Sequence, residues 1–345
     1  MSHSAGPFID EALRATCAIA VVKSKPWLGP KLLDDLPEEV RDAIPDSEVQ
    51  TSRSGERFAV VTSDRNTEVI FQDGTHRHAS IYGSGFFLHA ATGLLLTAEH
   101  VRRDVRKALN DQPTSEDAKL VVCPYLGGEL DWRNAWKAEV VAHTGDWNPN
   151  DKRVLPEPGL AARMTLSNYV DAALLRPTHE LETGKPVSKP HVRIPGPSSA
   201  TAEITALPIS TEESRKQHGA PLRPNQALHA LGFPTAGGKM TPTPIQGNYS
   251  LEETSPNQAT GTFLKFSGAE ILQGHSGGPV VTDSGVCVGW NVRNLRHLPM
   301  GGVNHVRPIE AAKACVELFM GSQAWPTLLA TPEREAAHEA SVQQV

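Results

Sequence analysis

Residues 274–281 read GHSGGPVV, a serine set among three glycines and followed at once by proline and two β-branched residues. Gly274, Ser276 and Gly278 satisfy G-x-S-x-G, the form of a sharp turn that presents a nucleophilic serine between a strand and a helix. The same string also satisfies G-x-S-G-G-P, in which the chain leaves the serine and runs directly into an apolar strand. The two readings demand different folds and different partners for Ser276, and the rest of the chain has to choose.

A strand–turn–helix reading needs a helix immediately after Ser276, then an acid and a histidine further on. Pro279 and the β-rich VVTDSGVCVGW stand where that helix would be. Asp283 is too close to the serine to be an acid on a later strand, although His297 and His305 are available, and too little chain remains for several βα units. The wider pattern is also β. GSGFFLHAATGLLLTAEHV, from Gly83, gives two apolar runs around a turn at Thr92-Gly93 and ends in a short helical or turn segment. KLVVCPYL, WKAEVVAHT, YVDAALLRP, ALHALGFP, GTFLKFSG and GGVNHVRPI continue as short apolar runs separated by Gly, Pro, Asn and Asp, which indicates a sandwich or barrel rather than a parallel βαβ sheet.

Three of these strings carry a resemblance. LLLTAEHV places His100 after an apolar strand as Thr-Ala-x-His, similar to the histidine motif of the chymotrypsin/trypsin-like serine protease family; YVDAALLRP places Asp171 ahead of Ala-Leu-Leu, similar to that family's aspartate strand; and GHSGGP resembles its nucleophile loop. They occur in the family's order of His, Asp, Ser. GSGFFL resembles the strand leading into the histidine hairpin and GGVNHVRPI the strand bordering the substrate pocket, so the likeness spans about residues 81–318. It implies an all-β, chymotrypsin-like double six-stranded β-barrel with an N-terminal insertion and a C-terminal helix. The expected divisions are 1–80 for an N-terminal helix, strand and insertion, 81–180 for a first barrel carrying His100 and Asp171, 181–320 for a second barrel carrying Ser276 and the helix, and 321–345 for a tail.

By the same resemblance the chain is a serine endopeptidase of the bacterial trypsin-like type, acting on a polypeptide through an acyl-enzyme. A serine hydroxyl is a weak nucleophile that needs a base with a pKa near neutrality, the role of His100, and a carboxylate to orient and stabilise the imidazolium, the role of Asp171. The N–H groups of Gly274 and Ser276 form the oxyanion hole, where the glycines allow a tight loop that excludes Cβ atoms. For the substrate pocket, Glu270, six residues before the serine, favours Arg or Lys in the substrate. Arg293, in GWNVRN, favours the opposite charge, and Gly302 leaves the pocket open. His275 replaces the aspartate of family members activated by a new N-terminus, so activity without that switch is expected. Regulation is assigned to residues 24–80, as the docking surface for a protein partner. With only a short helix and tail read after the barrels, no appended PDZ domain is expected.

Composition narrows the alternatives. The net charge of −6, from 33 basic and 39 acidic residues, without a basic run, argues against nucleic acid as a partner. No apolar stretch reaches the ~20 residues that cross a bilayer, and Asp10 and Glu11 stand where a signal peptide needs basic residues. A cytoplasmic location without membrane association is therefore expected. Four widely spaced cysteines, Cys17, Cys123, Cys287 and Cys315, suggest free buried thiols; the HRH of His76 to His78 lacks a metalloprotease spacing, and no cofactor or metal is expected. KPWLGPKLLDDLPEEVRDAIPDSE is broken by prolines, ERFAVVTSD and TEVIFQDG resemble strands closed by a turn at Asp73-Gly74, TGDWNPNDKRVLPEPG and STEESRKQHGAPLRPN read as surface loops, and EAAKACVELFMG reads as the C-terminal helix. Two other functions stay open: a protease-like scaffold that binds without cutting, and an α/β-hydrolase esterase using the GHSGG turn.

Overall fold

The computed structural model describes residues 7–24, 28–35, 38–42, 44, 49–51, 56–62, 66–71, 74–110, 118–126, 128–144, 170–193, 201–217, 221–234, 245–254, 262–267, 272–294 and 304–329. In chain order the elements begin with α1 (Pro7–Arg14) and β1 (Thr16–Lys23), then β2 (Leu28–Leu32), α2 (Glu38–Asp42), β3 (Val49–Thr51) and β4 (Arg57–Thr62). There follow β5 (Asn66–Ile70), β6 (His76–His89), β7 (Leu94–Thr97), α3 (Glu99–Asn110), β8 (Lys119–Leu126), β9 (Glu129–Leu130), β10 (Trp136–His143) and β11 (Ala173–Glu180). The second half holds β12 (His191–Arg193), β13 (Thr201–Glu203), β14 (Ala227–Ala230), β15 (Ile245–Thr254), β16 (Thr262–Ser267), β17 (Pro279–Thr282), β18 (Cys287–Asn294) and β19 (Asn304–Pro308).

Two antiparallel barrels organise these strands. β1, β6, β7, β11, β10 and β8 pair in that order and β8 pairs back onto β1, closing six strands. β5 and β9 extend this sheet as partners of β6 and β8. The continuous apolar run of β1 is explained by cover on both faces: Cys17, Ile19 and Val21 join Phe86, Leu96 and Trp136 in one core, while Ala18, Ala20 and Val22 pack with Ile81, Val121 and Cys123 in another. The second barrel closes through β14, β15, β16, β19, β18 and β17, and its interior is filled by Leu228, Ala230, Leu264, Val280, Val288 and Val306. The chain is thus the double six-stranded barrel expected from the motifs. A strand, Pro279–Thr282, follows Ser276 where a helix would be needed for the esterase fold, which removes that alternative.

Several elements differ from the sequence reading. The first sheet draws β1 from well upstream of residue 81. The turn at Gly74 joins β5 to β6, whereas β4 pairs with β2 and β3 in a separate three-stranded sheet. The segment after His100 is a helix of 12 residues rather than a short turn, because Val101, Val105 and Ala108 give it a buried stripe. Within the stretch expected to be a loop, Glu212–Gln217 is helical, its first turn capped by the Ser214 N–H donating to Thr211 Oγ1 at 3.1 Å. The C-terminal helix Lys313–Met320 packs on β10 and β11 of the first barrel, and a further turn, Ala324–Leu328, buries Trp325 and Leu328 in the segment expected to be tail. Among the described residues no helix is long and apolar enough to cross a membrane.

Candidate active site

β7 is buried along its whole length and delivers the chain directly into α3, so His100 falls in the first helical turn. Backbone N–H groups at a helix start have no partner within the helix. Here the His100 N–H donates to Asp171 Oδ1 at 2.9 Å, and the ring Nδ1–H donates to Asp171 Oδ2 at 2.8 Å. One carboxylate therefore caps the helix and orients the imidazole. The neighbouring Glu99, fully buried, accepts from Arg102 Nε at 2.7 Å and Nη2 at 2.6 Å, with His143 Nδ1 3.5 Å away, so the same turn is also fastened on its inner side.

Asp171 precedes β11 with φ at +52°, a region non-glycine residues rarely enter and which costs on the order of 1–3 kcal/mol. Three contacts hold it there. Its two carboxylate oxygens are taken by His100, and its carbonyl accepts the Trp290 Nε1–H of β18 at 3.2 Å. The last contact crosses from the second barrel to the first.

Ser276 lies in the turn between Leu272 and β17. Gly277 has φ at +83°, and a Cβ there would lie 2.2 Å from Thr97 Oγ1 and 2.3 Å from the Ser84 carbonyl oxygen. The turn is thus seated against the end of β7, just before His100. Gly277 N–H donates to the Asn291 carbonyl at 2.7 Å, Asn291 N–H to the Gly278 carbonyl at 2.9 Å, and Ser84 N–H to the Ser276 carbonyl at 2.8 Å. Among the described residues, the Ser276 hydroxyl makes no hydrogen bond, and neither the Gly274 nor the Ser276 N–H has an acceptor. Among the described residues the turn therefore carries one hydroxyl and two N–H donors without a partner, on a segment seated against Thr97 and Ala98 just before His100 in the chain.

Burial lowers the pKa of His100, but the hydrogen bond and charge of Asp171, with help from Asp104, outweigh it and raise the imidazole above its ordinary value. The four cysteines are buried and unbridged, and desolvation pushes the thiols of Cys287 and Cys315 up to about 12. Thiolate chemistry is suppressed at those positions.

Residues 83–289 match the family model of the trypsin-like peptidase domain. The chain belongs to this family. The trypsin-like peptidase match covers His100, Asp171 and Ser276, and the antiparallel barrels agree with it. Among solved structures, the HtrA-type protease AlgW with a decapeptide aligns with 92% of this chain and 69% of its own at 15% identity and a TM-score of 0.47. A substituted form of AlgW with a tripeptide aligns with 93% and 65% at 14% identity and a TM-score of 0.46. The comparison with curated proteins returned no match.

The structure joins His100 to Asp171 by two hydrogen bonds and seats the turn of Gly274 and Ser276 against Thr97 and Ala98, just before His100 in the chain. Glu270 and Gly302, the expected pocket residues, lie outside the described residues. His275, fully buried, sits with its Nδ1 3.2 Å from the Leu272 carbonyl inside the turn. Ser84 and Trp290 were not singled out by the sequence, although GSG before the histidine strand and the tryptophan in GVCVGW were visible there.

Proposed function

We propose that this trypsin-like peptidase is a serine endopeptidase that hydrolyses peptide bonds through His100, Asp171 and Ser276. The reading is carried by one observation: both oxygens of Asp171 are committed to His100, one to its backbone and one to its ring. That arrangement fixes the tautomer with the proton on Nδ1 and leaves Nε2 as the acceptor. Ser276 Oγ attacks the scissile carbonyl as Nε2 takes its proton. The negative charge that develops on the carbonyl oxygen is met by the Gly274 and Ser276 N–H groups. The tetrahedral species collapses to an acyl-enzyme as His100 returns the proton to the leaving amine. Water then repeats the sequence, giving its proton to His100 and releasing the carboxylic acid and Ser276.

The two barrels are proposed as the units of this site, with His100 and Asp171 from the first and Ser276 from the second. Residues 24–80, which include the three-stranded sheet of β2, β3 and β4, are proposed as the docking region for a regulatory protein.

The test is labelling by a fluorophosphonate together with turnover of a peptide library. Wild-type protein is expected to label at Ser276, and Ser276→Ala to lose both labelling and about 10⁴–10⁶-fold in kcat. A folded Ser276→Ala protein with wild-type turnover overturns the assignment. A wild type that neither labels nor cuts favours the scaffold reading instead.

A further inference from the structure

Ser84, in β6, is fully buried, and every polar group it has is used on the Ser276 turn or on residues touching it. Its N–H donates to the Ser276 carbonyl at 2.8 Å and its carbonyl accepts the Thr97 hydroxyl at 2.7 Å. Its hydroxyl accepts the Phe233 N–H at 3.0 Å and bonds the Gly274 carbonyl at 2.7 Å. A hydroxyl carries one proton. Since Phe233 N–H can only donate and the Gly274 carbonyl only accept, the direction is settled: Ser84 gives its proton to Gly274.

Gly274 needs such a partner. It has φ at +104°, and a Cβ there would stand 2.1 Å from the Phe233 carbonyl oxygen, so a side chain cannot be used to restrict it. Glycine rotates freely between positive and negative φ, and rotation would re-aim the Gly274 N–H. Among the described residues, the Ser84 hydroxyl is the hydrogen-bond donor to the Gly274 carbonyl. The same residue fixes the carbonyl of Ser276, so both donors of the proposed oxyanion hole belong to residues whose carbonyls are tied to one strand position of the first barrel.

We propose that Ser84 is a positioning residue: with the His275 N–H, which donates to the Leu272 carbonyl at 3.1 Å, it holds the Gly274–His275 peptide and so limits the rotation at Gly274 that would turn the N–H of the preceding peptide away from the reacting carbonyl oxygen. The inference rests on the serine-peptidase reading. Deleting an oxyanion donor costs about 10²–10³ in kcat, and a donor that is present but loosely aimed loses part of that. Ser84→Ala is therefore expected to lower kcat about 10–100-fold with KM changed less than about threefold. The pH midpoint of kcat/KM should not move, because His100 and Asp171 are untouched.

A peptide aldehyde, which adds to Ser276 and places its oxyanion in the hole, should bind more weakly by the same factor as kcat, while a cleaved product peptide binds as before. Ser84→Cys, with a weaker donor of similar size, should fall between wild type and alanine, and it decides the question if alanine does not fold. A folded Ser84→Ala or Ser84→Cys protein with wild-type kcat, or a loss appearing in KM or in the pH midpoint, overturns the clamp alone. A wild type without turnover or fluorophosphonate labelling overturns the peptidase reading, and the clamp with it.

Discussion

Gly277→Ala tests how the serine turn is seated, and its size can be worked from the contacts. At φ +83° an alanine pays about 1–2 kcal/mol for the left-handed backbone. The new Cβ would also stand 2.2 Å from Thr97 Oγ1, 2.3 Å from the Ser84 carbonyl oxygen and 2.8 Å from the Ala98 nitrogen, two of them backbone atoms that cannot swing aside. Overpacking of this kind costs about 1–3 kcal/mol more. Gly184→Ala is the matched control, with φ at +69° and nothing within 4 Å of the added methyl, so it carries the backbone cost alone. Urea unfolding followed by tryptophan fluorescence should therefore show Gly277→Ala less stable than Gly184→Ala by about 1–3 kcal/mol. Relief of the clash moves the turn off β7, and a displacement near 1 Å in a catalytic array costs about 10²-fold in turnover. Equal stability losses in the two variants, or full turnover in Gly277→Ala, would refute the seating argument.

Four further outcomes test the contacts and burial described above. A general base must be neutral, so kcat/KM should rise with pH through a midpoint above the ordinary imidazole value of about 6.5, since Asp171 raises the pKa of His100. Asp171→Asn leaves burial as the dominant influence; the midpoint should fall and kcat drop about 10⁴-fold, and an unmoved midpoint would dissociate the pair. Trp290→Phe removes the 3.2 Å bond to the Asp171 carbonyl and should cost about 1–3 kcal/mol in stability, together with a several-fold loss of kcat; a loss of stability with kcat intact would make the indole a packing group only. In the folded protein none of the four thiols should react with Ellman's reagent, and all four should react in guanidinium; a fast native thiol would contradict the burial that raises them.

The candidate residues of the site could be picked out because the chemistry proposed for them is written in short strings. TAEH, VDAALL and GHSGGP each combine a reactive side chain with neighbours dictated by a strand end or a crowded turn. What supports them was not readable, since it joins distant chain positions. Ser84 meets Gly274 across 190 residues, and Trp290 meets Asp171 across 119. GSG pointed only to the strand leading into the histidine hairpin. The length of α3 was hidden by its charge, although Val101, Val105 and Ala108 mark a buried stripe. Thr211 followed by two glutamates is an N-terminal helix signal that proline and glycine further along the same stretch obscured.

Lys23 and His78 face one another in the ladder between β1 and β6. The chain thus leaves the first barrel at Lys23, returns to its sheet when β5 pairs with β6, and resumes the ladder opposite the rung it left, while the pairing of β1 with β8 that closes the barrel does not pass through the excursion. Loop closure penalises length weakly, about 0.6 kcal/mol per doubling. The part of the excursion ahead of β5 is in effect a cassette hung between two strands of one sheet, where chain can be added or trimmed while the register of β1, β5 and β6 stays put.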